Sequence, residues 1–162
     1  MIEVTDLKKS FEGTEVLKGI STVFEKGKTN LIIGQSGSGK TVFMKCLLGL
    51  ITPTSGTIQY EGRDYAEFNI EEQRNLRQEM GMVFQGSALF DSKTVEGNVM
   101  FPLEMFTKQS RQEMQERVDF VLERVNLIDA HKKFPSEISG GMQKRVAIAR
   151  AIVMKPKYLF CD

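Results

Sequence analysis

"GQSGSGKT", residues 34–41, decides how the rest of this chain is read. It satisfies G-x-x-x-x-G-K-[ST] at every fixed position. A short apolar run, "TNLIIG" at 29–34, precedes it, and "KTVFMKCLLGL" at 40–50 follows. The run reads as a strand buried on both faces. The stretch after it reads as a helix, with Gly49 and Pro53 as stop signals. Strand, glycine-rich turn and helix are the context in which this motif holds phosphate. Gly34, Ser36, Gly37, Ser38 and Gly39 turn the backbone tightly and aim successive N–H groups at phosphate oxygens. The positive end of the helix adds to that field. Lys40 can reach the β- and γ-phosphates, and the Thr41 hydroxyl can ligate Mg²⁺. The loop predicts a nucleoside triphosphate without saying which one, or for what purpose.

Outward from the loop, the N-terminal part reads as short strands with turns: "IEVTDL" at 2–7, "ISTVFE" at 20–25 and "SGTIQYEGRD" at 55–64. Turns are expected at 25–28 and at Glu61 and Gly62. "NIEEQRNLRQEM" at 69–80 is polar and suits a short helix, and "GMVFQ" at 81–85 is a strand ending in glutamine. Met114, Val118, Val121, Leu122 and Val125 form one apolar stripe at helical period. Met142, Val146, Ala149, Ile152 and Val153 repeat the pattern in "SGGMQKRVAIARAIVM" at 139–154. Pro156 ends that helix, and "KYLFCD" at 157–162 is a strand that closes on an acid. Core and β parts are therefore expected at 1–91 and 156–162, and a helical part at roughly 92–155, all within one domain.

Bulk properties narrow the class. Hydrophobic residues make up 41% and charged residues 27% of 162, with net charge +1. That describes an ordinary globular chain and implies no nucleic acid. Cys46 and Cys161 lack metal-ligand spacing and sit in apolar company, so two reduced core thiols are expected. "MIEVTDLKK" has no signal-peptide pattern, and no apolar run reaches the roughly 20 residues that span a bilayer. The chain reads as cytosolic.

"ISGGM" at 138–142 places Ser139, Gly140 and Gly141 at a helix start, with Ser139 suited to N-capping. With the phosphate loop, this stretch resembles the LSGGQ signature of ATP-binding cassette (ABC) ATPases, Ile replacing Leu and Met replacing Gln. "RVAIARAI" at 145–152 continues as that family does. Gln85 stands where the family keeps its Q-loop glutamine, and Phe11 where an aromatic stacks on adenine. "KYLFCD" matches the Walker B strand, with Asp162 as its aspartate. The motifs stand in family order along the whole chain.

The resemblance implies an α/β P-loop NTPase fold. That fold has a RecA-like core, an N-terminal antiparallel β subdomain and an inserted α-helical subdomain. It implies a head-to-tail homodimer with ATP and Mg²⁺ at the interface and a transmembrane permease as partner. Ser139, Gly140 and Gly141 would contact the γ-phosphate held by the second subunit. Thr41, Gln85 and Asp162 would serve the metal, and Gln85 and Asp162 the catalysis. The chain would sit on the inner face of the inner membrane.

"FQGSALFDSKTVEGNVMFPL" at 84–103 and Met142 resemble the ATPases of Mla-type and Mce-associated lipid transporters. This implies phospholipid transport, an Mce-domain lipid-binding protein as a further partner, and Phe84, Phe90 and Phe101 at or near the permease surface. Taken singly, each phenylalanine is better explained by packing of the subdomain. Amino acid, lipoprotein-release and macrolide-export ATPases remain alternatives, as do a cassette ATPase without a permease and a non-catalytic nucleotide-binding fragment. The family's catalytic glutamate follows the Walker B aspartate, at position 163, and its switch histidine lies further on. His131, expected to be a solvated loop residue beside Lys132 and Lys133, precedes the signature and cannot replace it. The C-terminal part of the core is thus expected to be missing, and hydrolysis by residues 1–162 alone to be very slow.

Overall fold

The computed structural model describes residues 1–162, which divide into two compact units, Met1–Arg77 and Gln78–Asp162.

In Met1–Arg77, strands β1 (Ile2–Phe11) and β2 (Thr14–Phe24) form a hairpin, joined by β3 (Ser55–Tyr60) and the short β4 (Arg63–Asp64). The sheet is antiparallel, in the order β2-β1-β3-β4. Val4 pairs with Thr22 on one side and Ile58 on the other, so β1 is the central strand of that trio. Its register shifts at Asp6, which adopts φ 46° and donates its N–H to Ser21 Oγ at 2.9 Å. A bulge of this kind adds twist to the ladder.

Ile2, Val4, Leu7, Leu17, Ile58 and Tyr60 are buried. So are Phe43, Met44, Cys46 and Leu47 of helix α1 (Lys40–Leu47). The Phe24 and Phe43 rings meet at 6.2 Å, and the Tyr60 hydroxyl donates to the Leu47 carbonyl, tying sheet to helix. Helix α2 (Ile70–Gln78) starts with reciprocal bonds between Asn69 and Glu72.

One expected strand is absent. Residues 28–35 join no ladder, and within them Leu31 is 81% and Ile33 85% exposed. An apolar run forms a doubly buried strand only when neighbours hydrogen-bond to both of its edges. No strand of either sheet pairs with this one.

In Gln78–Asp162, strands β5 (Met80–Val83) and β6 (Tyr158–Cys161) pair in parallel, Gly81 opposite Leu159. Helices α3 (Val95–Phe106), α4 (Arg111–Arg124) and α5 (Gly140–Ile152) enclose a separate core. Val95, Val99, Met100, Val118, Val121, Leu122, Val146 and Ala149 are fully or almost fully buried there. Met114, Val125, Met142 and Ile152 pack against it from the margin, so both expected stripes are found.

Gly81 is required by packing, since a Cβ there would lie 2.4 Å from the Ala151 carbonyl oxygen. Arg117 of α4 donates to the carbonyls of Ile152 and Val153, satisfying the end of α5. Helix α3 carries Pro102 within it, a residue that argues against a helix in sequence.

Two smaller expectations fail. Cys46 is buried, and burial pushes its thiol pKa up, opposed by Lys9. Cys161, by contrast, is exposed, because β6 turns Leu159 and Cys161 to an open face. His131 is not a free loop residue: its side chain is 24% exposed and lies 2.7 Å from the Ile128 carbonyl through Nδ1 and 3.1 Å from Asp119 through Nε2.

Candidate functional site

The loop at 34–41 turns on its glycines. Gly37 and Gly39 lie in the left-handed region, with φ 79° and 93°. Gly39 is the N-cap of α1, and a Cβ there would press on Val16 and Leu17 of β2 at 3.0–3.1 Å. No side chain caps α1, and its first turn holds no acid. Thr94, Ser110 and Ser139 supply a capping oxygen to α3, α4 and α5, whereas Gly39 has no side chain to do so for α1. Lys40 Nζ donates to the carbonyls of Gly34 and Gln35 at 2.9 and 2.8 Å, so the ammonium lies across the loop that precedes it. A helix start without a side-chain cap and an ammonium held at the glycine-rich loop before it have the charge that suits a polyphosphate.

In the same unit Phe11 ends β1 opposite Thr14. Its ring is 42% exposed, with Lys9 Nζ 4.9 Å from its centroid. A half-open aromatic face is one on which a planar ring could stack.

In the second unit the parallel ladder fixes two further residues. The last pair is Val83 with Cys161, and the Asp162 N–H continues the ladder to the Val83 carbonyl at 3.0 Å. Asp162 and, after Phe84, Gln85 thus both leave the carboxyl edge of the β5–β6 sheet, where α/β folds place their ligands. Both are exposed. A carboxylate and an amide oxygen, like the Thr41 hydroxyl, are hard donors of the type Mg²⁺ prefers.

Ser139 caps α5, accepting from the Met142 N–H at 3.3 Å. Gly140 and Gly141 follow in the open; a Cβ on Gly140 would meet nothing within 4 Å. Arg145 donates to the carbonyls of Val125 and Asn126 and Gln143 to that of Pro135, which steadies the start of the helix. Phe84 and Phe90 are exposed by 40% or slightly more, and the Phe90 and Phe101 rings meet at 4.8 Å. Partial packing and partial exposure thus coexist in these aromatics.

Two residues were missed in sequence. Asn98 is fully buried on α3 and bonds four backbone groups of the preceding turn and loop. Arg150 on α5 donates to two more. An asparagine inside the apolar run "VEGNVMF" was the available signal.

Comparison with known proteins identifies one family over most of the chain. A family profile described as ABC transporter matches residues 17–162. The methionine import ATP-binding protein MetN of Clostridium tetani is 41% identical over 162 residues, covering 100% of this chain and 51% of its own length. A probable ribonucleotide transport ATP-binding protein, mkl, of Mycobacterium leprae is 40% identical over 161 residues, covering 99% of this chain and 46% of its own. The chain therefore spans about half the length of the curated relatives it matches. Among solved structures, the ADP- and Pi-bound dimeric cassette MJ0796 superposes with a TM-score of 0.90 at 28% identity, covering 100% of this chain and 73% of that one. Clostridium perfringens cbiO1, part of a cbiONQ transporter complex, gives 0.88 at 32% identity over 99% of this chain and 64% of its own.

Proposed function

This chain belongs to the ABC transporter family, and from that premise we propose that it binds ATP and powers a permease by ATP hydrolysis at the interface of a homodimer. The glycine-rich loop at 34–39, with the Lys40 ammonium held at its carbonyls and no side chain capping α1, is the observation that carries the reading. Residues 34–41 hold the triphosphate, with Lys40 moving from its loop carbonyls onto phosphate oxygens. Phe11 stacks on the adenine. Bound Mg²⁺ would neutralise phosphate charge, and Thr41, Gln85 and Asp162 supply oxygens that suit it. Gln85 and Asp162 orient water and metal from one sheet edge. Ser139, Gly140 and Gly141 present a helix N-terminus to the γ-phosphate held by the partner subunit.

No helix is long and apolar enough to cross a membrane. The family likeness supports a peripheral place on the cytoplasmic face of the inner membrane, beneath the permease. For the cargo, the likeness of residues 84–103 and Met142 to lipid-transport ATPases supports a phospholipid, with an Mce-domain protein as a further partner. The relatives named for methionine import favour an amino acid as the second reading.

The test is Mg²⁺-dependent ATP hydrolysis by the intact protein, alone and in liposomes with a candidate permease. Loss of turnover on Lys40→Ala is expected. Stimulation by phospholipid supports the first cargo and stimulation by methionine the second. Absence of ATP binding would sink the proposal.

A further inference from the structure

Residues 86–93, which follow Gln85, are held by side chains from two helices. Arg150, in the last turn of α5, donates from Nη1 to the Ala88 carbonyl at 2.8 Å and from Nη2 to the Ser87 carbonyl at 2.9 Å. Its guanidinium carbon lies 5.8 Å from the centre of the Phe90 ring. Asn98 of α3 accepts from the Phe90 N–H at 2.8 Å and donates to the carbonyls of Phe90, Lys93 and Thr94, each at 3.0 Å.

The clamped backbone is not one that relaxes there unaided. Ser87 and Ala88 are consecutive non-glycine residues in the left-handed region, with φ 62° and 47°. Such a pair persists only where the surroundings hold it. Arg150 presents two N–H groups in a fixed fork to two consecutive carbonyls, a match that a lysine ammonium cannot make. No carboxylate forms an ion pair with it, and burial pulls its pKa below the ordinary arginine value. The carbonyls and the ring therefore supply the compensation for its charge.

We propose that Arg150 is a positioning residue that locks the segment after Gln85 to α5, so that displacement of residues 86–93 reaches the Ser139 end of that helix. A helix of 13 residues is a rod of about 20 Å, with Arg150 in its last turn and Ser139 at its cap. The functional part rests on reading residues 84–103 as the permease side and Ser139 as a phosphate contact. The anchoring part does not.

The experiment compares wild type, Arg150→Lys and Arg150→Gln in the intact protein by amide hydrogen exchange and by ATP hydrolysis with Mg²⁺. Arg150→Gln should speed exchange in residues 86–93 about tenfold, the scale of a lost charge-assisted hydrogen bond. Arg150→Lys should do so by less, with the amides of α4 unchanged in both. The kcat should fall in the same order while KM for ATP holds. Unchanged exchange in 86–93, equal acceleration throughout α4, or a raised KM at constant kcat would each overturn the proposal. A wild-type protein that fails to hydrolyse ATP sinks the functional reading above, and the exchange data still decide whether Arg150 anchors the segment.

Discussion

The Asp162 N–H donates to the Val83 carbonyl at 3.0 Å, one step past the last paired residues of β5 and β6. That bond sets Asp162 beside the exit of β5, from which Gln85 follows after one residue. On the function proposed above the two side chains would serve one ligand set, so their losses should overlap. Asp162→Ala and Gln85→Ala in the intact protein should each lower kcat about 10–100-fold. The double variant should fall well short of the product, as coupled neighbours do. Steady-state ATPase kinetics provide the check, and full multiplicativity would count against a shared role.

Lys40 donates to two carbonyls of its own loop and is not one of the buried core residues. Lys40→Ala should weaken ATP binding between about tenfold and a hundredfold while leaving the unfolding midpoint nearly unchanged. Titration with a fluorescent ATP analogue, alongside a thermal melt, separates the two effects.

Gly81 faces the Ala151 carbonyl, with Pro156 and Leu159 also close to where its Cβ would be. The obstructing atom at 2.4 Å is backbone and cannot swing aside. Gly81→Val should destabilise by about 1–3 kcal/mol or more. A lowered urea midpoint would show it, and an unchanged one would mean that α5 and β5 can separate at little cost.

The start of α4 makes a pH-dependent prediction. Ser110 donates to the Glu113 carboxylate from its hydroxyl and its N–H, each at 2.7 Å, and these bonds hold the Glu113 pKa below the ordinary glutamate range. A depressed carboxylate stabilises the fold above its unfolded pKa of about 4.3, and that contribution disappears as pH falls through the lower folded value. Glu113→Gln should therefore cost stability at pH 7 and little at pH 2–3. Urea unfolding at both pH values tests this, and a cost that grows on acidification would reverse the assigned sign.

Arg117 caps the end of α5 from a neighbouring helix. Arg117→Met keeps most of the apolar stem but leaves the Ile152 and Val153 carbonyls without those donors. A loss of about 1–3 kcal/mol is expected, read from the same urea curves.

Much of this was legible before the structure. The stripes through Val118 and Val146 specify their helices because both burial and period are local properties. The loop at 34–41 was readable because its glycines answer a need of the backbone itself. Helix α3 falls inside the helical part expected at roughly 92–155, but its own bounds were not readable, since Gly97 and Pro102 weaken the local signal and it forms by burying Val95, Val99 and Leu103 in the core shared with α4 and α5. The strand expected at 29–34 failed for the complementary reason: apolar content is written in the sequence, but a ladder needs a neighbour. Arg150 and Asn98 escaped notice because their targets are main-chain carbonyls, which carry no residue identity to match.

The unladdered run at 28–35 also governs how the 162-residue polypeptide behaves in a tube. Leu31 and Ile33 stand open to solvent, on a backbone with no strand beside it. Such a segment seeks edge-to-edge pairing with another copy of itself. Preparations of these residues alone should turn turbid as they are concentrated, and light scattering should rise with concentration. Replacing Ile33 with Lys should clear them.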